Sequence, residues 1–290
     1  MITPGDKPVA LVGAGTQGAR LAYMWSQLGG SVNLIDQNEQ QLEKAQEYIQ
    51  GLRQASSPGP DGWGKVSTYP ASRLSEAVLP AWLILECVPE SLQLKKKVIK
   101  NLNDVASPDT IIASNSSSYT ISEIIKDVEL DDRSRFLSLH SYWPPETSAI
   151  EVMGSEETSP EVISLMMEQC KLHKFMPFQV HKSSTGYIYN RIWAAIKREA
   201  LLTVAEGVAS PEEVDTIFKE VLKTPKGPCE QMDVVGLDVV LDIEEHYAET
   251  REGLPQAPRE YLKSMIAEGK LGVKSGRGFY EYGASVSKAK

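Results

Sequence analysis

The chain has 290 residues, 41% of them hydrophobic and 24% charged, with a formal net charge of -9 at pH 7. That length accommodates two domains with their own cores, and the composition excludes a disordered chain. The acidic balance counts against nucleic acid or an anionic membrane surface as the main partner.

No basic start followed by an apolar run suggests secretion, and the longest apolar stretch, Ala77 to Val88, is short and broken by Pro80. A cytoplasmic protein without membrane spans is expected. Cys87, Cys170 and Cys229 stand alone without ligand-spaced neighbours, so neither a disulfide framework nor a metal site is expected. The final Ser287-Lys288-Ala289-Lys290 is not the Ser-Lys-Leu peroxisomal address.

Val9 to Val12 is an apolar run of the kind a buried parallel strand needs, and Gly13-Ala14-Gly15-Thr16-Gln17-Gly18 follows at once. In this G-x-G-x-x-G, Gly13 makes the tight turn, Gly15 lets backbone approach a pyrophosphate, and Gly18 lets helix pack on strand. Leu21, Met24, Trp25 and Leu28 repeat at helical spacing, Gly29-Gly30 stops that helix, and Ser31 to Ile35 returns to strand. Asp36 then offers a carboxylate to a ribose 2′-hydroxyl and repels a 2′-phosphate, and Gln37 puts no Arg beside it. The unit reads as an NAD site, with flavin and S-adenosylmethionine sites as alternatives of similar layout.

Farther on, Glu39 to Leu52 is a predicted helix and Ser56 to Gly62 a surface loop rich in Ser, Pro and Gly. Strands at Val66 to Tyr69, Trp82 to Val88 and Thr110 to Ala113, with a helix from Ser91 to Leu102, predict a doubly wound, mostly parallel α/β sheet. Ligands in such sheets lie beyond the strand carboxyl ends, which here means Glu86 to Glu90, Ser114 to Ser118 and His140 onward. Strands at Arg135 to His140, Ile150 to Met153 and Phe175 to His181 complete a domain of residues 1–183. Residues 184–290 read as an all-helical domain, with helices at Gly186 to Glu206, Pro211 to Leu222, Asp233 to Thr250 and Pro258 to Glu268. Tyr189 and Trp193 share a face of the first of these, as core, subunit interface or substrate wall.

His140 closes its strand at the ligand-facing end, and Glu151 follows eleven residues later, after Pro144-Pro145 reverse the chain. A hairpin-like return brings that carboxylate to one ring nitrogen, stabilising the imidazolium and leaving the other nitrogen as a base near neutral pH. The pair suits proton removal from an alcohol.

With these pieces in order, nearly the whole chain resembles the L-3-hydroxyacyl-CoA dehydrogenase family, whose wider membership includes L-gulonate 3-dehydrogenase, also known as lambda-crystallin. The matching stretches are the glycine turn, Glu86-Cys87-Val88-Pro89-Glu90, Ala113 to Ser118, Arg135 to His140, Gly186 to Arg191, Gly227-Pro228 and Gly272 to Tyr280. The resemblance implies NAD-dependent oxidoreduction of a small molecule, with His140 as general base and Glu151 orienting it. It implies that Ser117 hydrogen-bonds the substrate oxygen, that Asn190 reaches into the cleft between the domains, and that Glu90 and Lys95 lie near the nicotinamide ribose. It also implies a homodimer formed through the helical domain.

Two departures bear on the substrate. Trp143 stands where the family usually has asparagine, and the spacing from histidine to glutamate is one residue shorter than usual, so a reshaped substrate pocket is expected. The long basic helical pair that contacts CoA in acyl-CoA members is replaced by the short Ser56 to Gly64 loop, flanked only by Arg53 and Lys65. A 3-hydroxy or 3-keto acid, or a related small carbonyl metabolite, is therefore expected ahead of a true acyl-CoA. A non-catalytic, crystallin-like NAD-binding protein is the reading from another class, against which the retained His140 and Glu151 count.

Overall fold

The computed structural model describes residues 4–282, so the terminal Ser287 to Lys290 lies outside the described residues. The chain divides after Ile188 into two compact units.

The first unit is built on eight strands: β1 (Val9–Val12), β2 (Val32–Asp36), β3 (Val66–Pro70), β4 (Leu83–Glu86), β5 (Ile111–Ser114), β6 (Phe136–Ser141), β7 (Ala149–Gly154) and β8 (Met176–Gln179). Their order is β3-β2-β1-β4-β5-β6-β7-β8, and every pairing is parallel except β6 with β7. The helices between them are α1 (Thr16–Trp25), α2 (Glu39–Gln54), α3 (Leu74–Val78), α4 (Leu92–Val105), α5 (Ile121–Ile125) and α6 (Pro160–Leu172). The fold is Rossmann-type, doubly wound and mostly parallel, with a helical unit following.

Alternation along the central strands explains the two covered faces. In β1, Val9 and Leu11 join the layer under α1 and α2 while Ala10 joins the layer under α3 and α4, and Leu85 and Ile84 of β4 divide in the same way. Each buried aliphatic side chain contributes about 1.5–3 kcal/mol, so strands apolar on both faces can only be central ones. From β1 the strand order runs outward to β2 and β3 on one side and resumes with β4 on the other side of β1, and that switch point opens a crevice at the strand carboxyl ends.

Helix α6 is absent from the sequence expectations, although Ser159-Pro160-Glu161 starts it with the cap chemistry of Ser210-Pro211-Glu212: Ser159 Oγ accepts from Glu161 N. Its apolar residues run nearly continuously from Val162 to Met167 rather than forming a stripe, which hides the helical period.

The second unit contains α7 (Tyr189–Ala205), α8 (Pro211–Leu222), α9 (Pro228–Val235), α10 (Leu237–Thr250) and α11 (Ala257–Ala267). Ser210 and Glu213 form the expected reciprocal cap at the start of α8. The single helix expected from Asp233 to Thr250 is instead the end of α9 and all of α10. Gly236 between them has φ +102°, a conformation that L side chains rarely adopt and that ends α9. No helix among the described residues is long and apolar enough to cross a membrane.

Candidate active site

The glycine turn forms one wall of a cleft of about 700 Å³ in the first unit, a volume within the range of small-molecule sites. A Cβ on Gly13 would sit 2.5 Å from the Cys87 carbonyl oxygen, and one on Gly18 would sit 1.9 Å from that of Gly13. Those two positions hold α1 tightly against β1 and β4. Gly15 differs: its missing Cβ points into open space, so backbone there is bare toward the cleft. Helix α1 begins at Gly15 with no side-chain cap, unlike α2 and α4, so its first N–H groups and positive helix end remain available to an anion.

Asp36 ends β2 and closes the turn, with Oδ2 accepting from Ala14 N at 2.7 Å and Oδ1 from Asn38 N at 2.9 Å. Thr16, Gln17, Gln37 and Gln41 line the same cleft, with Val88, Pro89, Leu94 and Val98 among its other lining residues. Bare backbone at an uncapped helix start, an acid one strand away and an apolar wall match the pyrophosphate, ribose and adenine of NAD. Gln17 has a second task, since its amide donates to the Tyr142 carbonyl.

Behind the ends of β4 and β5 lies a buried charge network. Lys95 Nζ, from α4, reaches Glu86 Oε1 at 2.9 Å, Glu90 Oε2 at 3.2 Å and the Val88 carbonyl at 3.2 Å. Burial opposes the ammonium charge, but Glu86 and Glu90 outweigh it and hold the Lys95 pKa above that of an ordinary lysine. The other oxygen of Glu86 accepts from Ser114 Oγ at 2.6 Å.

Glu90 Oε1 collects Ser116 Oγ at 2.6 Å, Ser117 N at 3.1 Å and Ser118 N at 2.8 Å. Burial would raise this carboxyl, but Lys95 and the serine donors hold it below the usual range. Glu90 and Lys95 therefore organise the turn that presents Ser117, a task that motif matching did not assign to them. Ser117 is exposed, and it does not cap the following helix, because Thr120 forms the capping box of α5.

His140 and Glu151 are direct partners across the antiparallel β6–β7 pair. His140 Nδ1 lies 3.0 Å from Glu151 Oε2, with the residues 4% and 2% exposed. A carboxylate only accepts, so Nδ1 donates to it, and in the neutral imidazole Nε2 is then the acceptor. Glu151 Oε1 accepts from Ile188 N at 2.9 Å, and Tyr187 stacks on the imidazole at 4.8 Å with an interplanar angle of 10°.

Trp143 is half-exposed, with the Arg20 guanidinium 4.3 Å above its ring, and Arg20 also donates to the Pro144 carbonyl and pairs with Glu146. The structure thus gathers the glycine turn, Asp36, Glu90, Lys95, Ser117, His140 and Glu151 in the first unit, while Asn190 lies in the first turn of α7 in the second. Tyr142 and Tyr187, which both surround His140, were missed as functional candidates. Their positions next to His140 and after the matched Gly186 were the available signal.

Known proteins resemble the chain over nearly its whole length. Residues 8–183 match the family model "3-hydroxyacyl-CoA dehydrogenase, NAD binding domain", and residues 186–282 match "3-hydroxyacyl-CoA dehydrogenase, C-terminal domain". Human mitochondrial hydroxyacyl-coenzyme A dehydrogenase is 32% identical over 289 residues, spanning 95% of this chain and 91% of that protein. A solved (S)-3-hydroxybutyryl-CoA dehydrogenase from Ralstonia eutropha is 27% identical with a TM-score of 0.83, over 96% of this chain and 99% of the other. A diketoreductase structure, described as acting on dicarbonyl compounds, is 29% identical with a TM-score of 0.76, over 97% of this chain and 100% of the other. The chain belongs to the 3-hydroxyacyl-CoA dehydrogenase family and is an NAD-dependent oxidoreductase.

Proposed function

We propose that the chain interconverts the C3 hydroxyl and keto groups of a small 3-hydroxy or 3-keto acid, or a related dicarbonyl compound, with His140 as general base and acid. The buried His140–Glu151 pair at the strand end carries this reading. In the oxidising direction, His140 Nε2 takes the hydroxyl proton as the C3–H bond breaks. Glu151, accepting from Nδ1, stabilises the imidazolium that forms. Ser117 donates its hydroxyl to the substrate oxygen, and Asn190 keeps its assignment as a substrate-binding amide on the motif alone. In reduction His140 returns the proton to the new alkoxide. Bound NAD supplies the hydride acceptor, and NADH the donor.

The preference for a substrate without CoA rests on residues 56–64. Gly59 N donates to the Gln27 carbonyl and Gly64 N to that of Ser26, both at 2.8 Å, so the loop lies against the end of α1. Trp63 packs on Tyr23 at 5.3 Å, and Arg53 sits 5.0 Å over the Trp63 ring while donating to Ser26 Oγ and the Gly64 carbonyl. One of the two flanking cations is thus committed to holding the loop down, which leaves Lys65 as the other for the phosphates of a CoA handle. An acyl-CoA remains the second reading because human and Ralstonia relatives carry that name.

A panel of 3-keto acids, sugar acids and acyl-CoAs, scored by NADH absorbance, separates the two. Turnover of acetoacetyl-CoA at a rate comparable to the best substrate without CoA refutes the preference. His140→Ala is expected to abolish NADH oxidation while NADH binding stays near normal; retained activity removes His140 from the mechanism.

We further propose that the helical unit self-associates. It carries a largely apolar cleft of about 1180 Å³ lined by residues of α7, α8 and the segment joining them, with Pro228 of α9, where Val208, Ile217 and Val221 are 72%, 64% and 69% exposed.

A further inference from the structure

Two donors converge on one oxygen of Glu151. His140 Nδ1 lies 3.0 Å from Oε2 and the Tyr142 hydroxyl 2.7 Å from the same atom, while Oε1 accepts from Ile188 N. The Tyr142 ring stands edge-on to the imidazole at 4.7 Å, with an interplanar angle of 67°, and Tyr187 covers an imidazole face. Backbone at Tyr142 is held as well, because its carbonyl accepts from the Gln17 amide of α1. The phenol is therefore fixed at both ends: its main chain to the helix of the glycine turn, its hydroxyl to the carboxylate that holds the histidine.

A carboxylate oxygen that accepts a second hydrogen bond shares its negative charge between two donors, and it gives less stabilisation to the charge that builds on either. During alcohol oxidation that charge builds on His140. We propose that Tyr142 is a positioning residue: by donating to Glu151 Oε2 it fixes the carboxylate and limits how strongly that carboxylate favours imidazolium, which sets the pH range of turnover. This rests on the reading of His140 as the general base. Tyr187, on the imidazole face, is kept protonated by burial and tied by its hydroxyl to the Ser116 carbonyl at 2.7 Å, and the carboxylates Glu90 and Glu123 act on Tyr187 from the β4–α4 loop and α5.

Tyr142→Phe removes only the hydroxyl. With NAD and either 3-hydroxybutyrate or 3-hydroxybutyryl-CoA as probe, the rising limb of kcat against pH for oxidation is expected to move up by about half to one pH unit. Below the limb this is roughly a three- to tenfold loss, converging with the parent at high pH. In the ligand-free protein, the His140 Nδ1 proton resonance is expected to move downfield as its hydrogen bond to Oε2 strengthens. A profile and a resonance that superpose on the parent overturn the proposal, and so does a uniform loss of kcat at every pH with an unmoved resonance. His140→Ala runs alongside: if it still turns over, the general-base reading has failed, whereas an inactive His140→Ala with an unaltered Tyr142→Phe condemns Tyr142 alone. The resonance decides the matter even where neither probe is turned over.

Discussion

Replacing Lys95 by Met tests whether the buried network behind the strand ends holds the first unit together. The Lys95 and Glu86 side chains are 2% and 0% exposed, so the substitution leaves the Glu86 charge without its ammonium partner in a site that water does not reach. Breaking a buried pair from one side costs about 3–5 kcal/mol. Glu86 keeps Ser114 Oγ at 2.6 Å and Val88 N at 2.7 Å, which places the loss at the lower end, near 3 kcal/mol. The contact to Glu90, whose side chain is 37% exposed and so only partly out of water, adds less than the fully buried pair.

At a few °C per kcal/mol, the expected fall in Tm is roughly 6–12 °C. A lysine whose native pKa is raised contributes stability that is fully present below its unfolded value and lost as pH rises through the native one. Urea unfolding at pH 7 therefore sees the whole effect. Tryptophan emission is the signal, since Trp25, Trp63, Trp82 and Trp143 lie in the first unit. The double variant Glu86→Gln with Lys95→Met removes both charges and is expected to recover most of the loss. A single-variant cost below about 1 kcal/mol, or a double variant as unstable as the sum of the singles, refutes the reasoning.

Two further outcomes follow from the geometry. Asp36→Ala removes the acceptor at the end of β2 that also orders Ala14 N and Asn38 N, so KM for NAD is expected to rise at least tenfold while NADPH use improves relative to NADH; parent enzyme that uses NADPH equally well overturns the role given to Asp36. Ile217→Glu places a charge in the exposed apolar cleft of the helical unit, and sedimentation is expected to show a dimer-to-monomer shift with little change in helix content; an unaltered mass rules that face out as the contact.

The parts of the site that sequence made visible are those written locally. Gly13 to Gly18 and Asp36 declare themselves because a tight turn, a close backbone approach and a strand-end acid each need a particular residue type at a fixed offset. The helices starting at Ser210 and Ser159 carry the same kind of local signal, yet only the first is legible, because the period after Ser159 is blurred by consecutive apolar residues. Gly236 shows the opposite failure: a continuous apolar pattern from Asp233 to Thr250 concealed a backbone break that one positive φ imposes.

What resisted reading is the chemistry that tertiary structure assembles from residues with ordinary individual meanings. Glu90 and Lys95 matched positions beside a ribose, but their contacts make them the organisers of the Ser116 to Ser118 turn, through a glutamate on β4 that nothing local distinguishes from a strand-end acid. The His140–Glu151 pair could be anticipated because a hairpin-like return makes spacing into geometry, and the observed register pairs the two residues directly. For Tyr142 the position beside His140 is too weak a signal by itself, since such a tyrosine reads equally as packing until its hydroxyl is seen 2.7 Å from the same carboxylate oxygen. The substrate sits at the far end of this scale. The preference proposed for a substrate without CoA depends on how a loop of Gly, Pro and Ser lies down on α1 through Trp63 and Arg53, so a change that lifts this loop tests that preference more directly than one at His140.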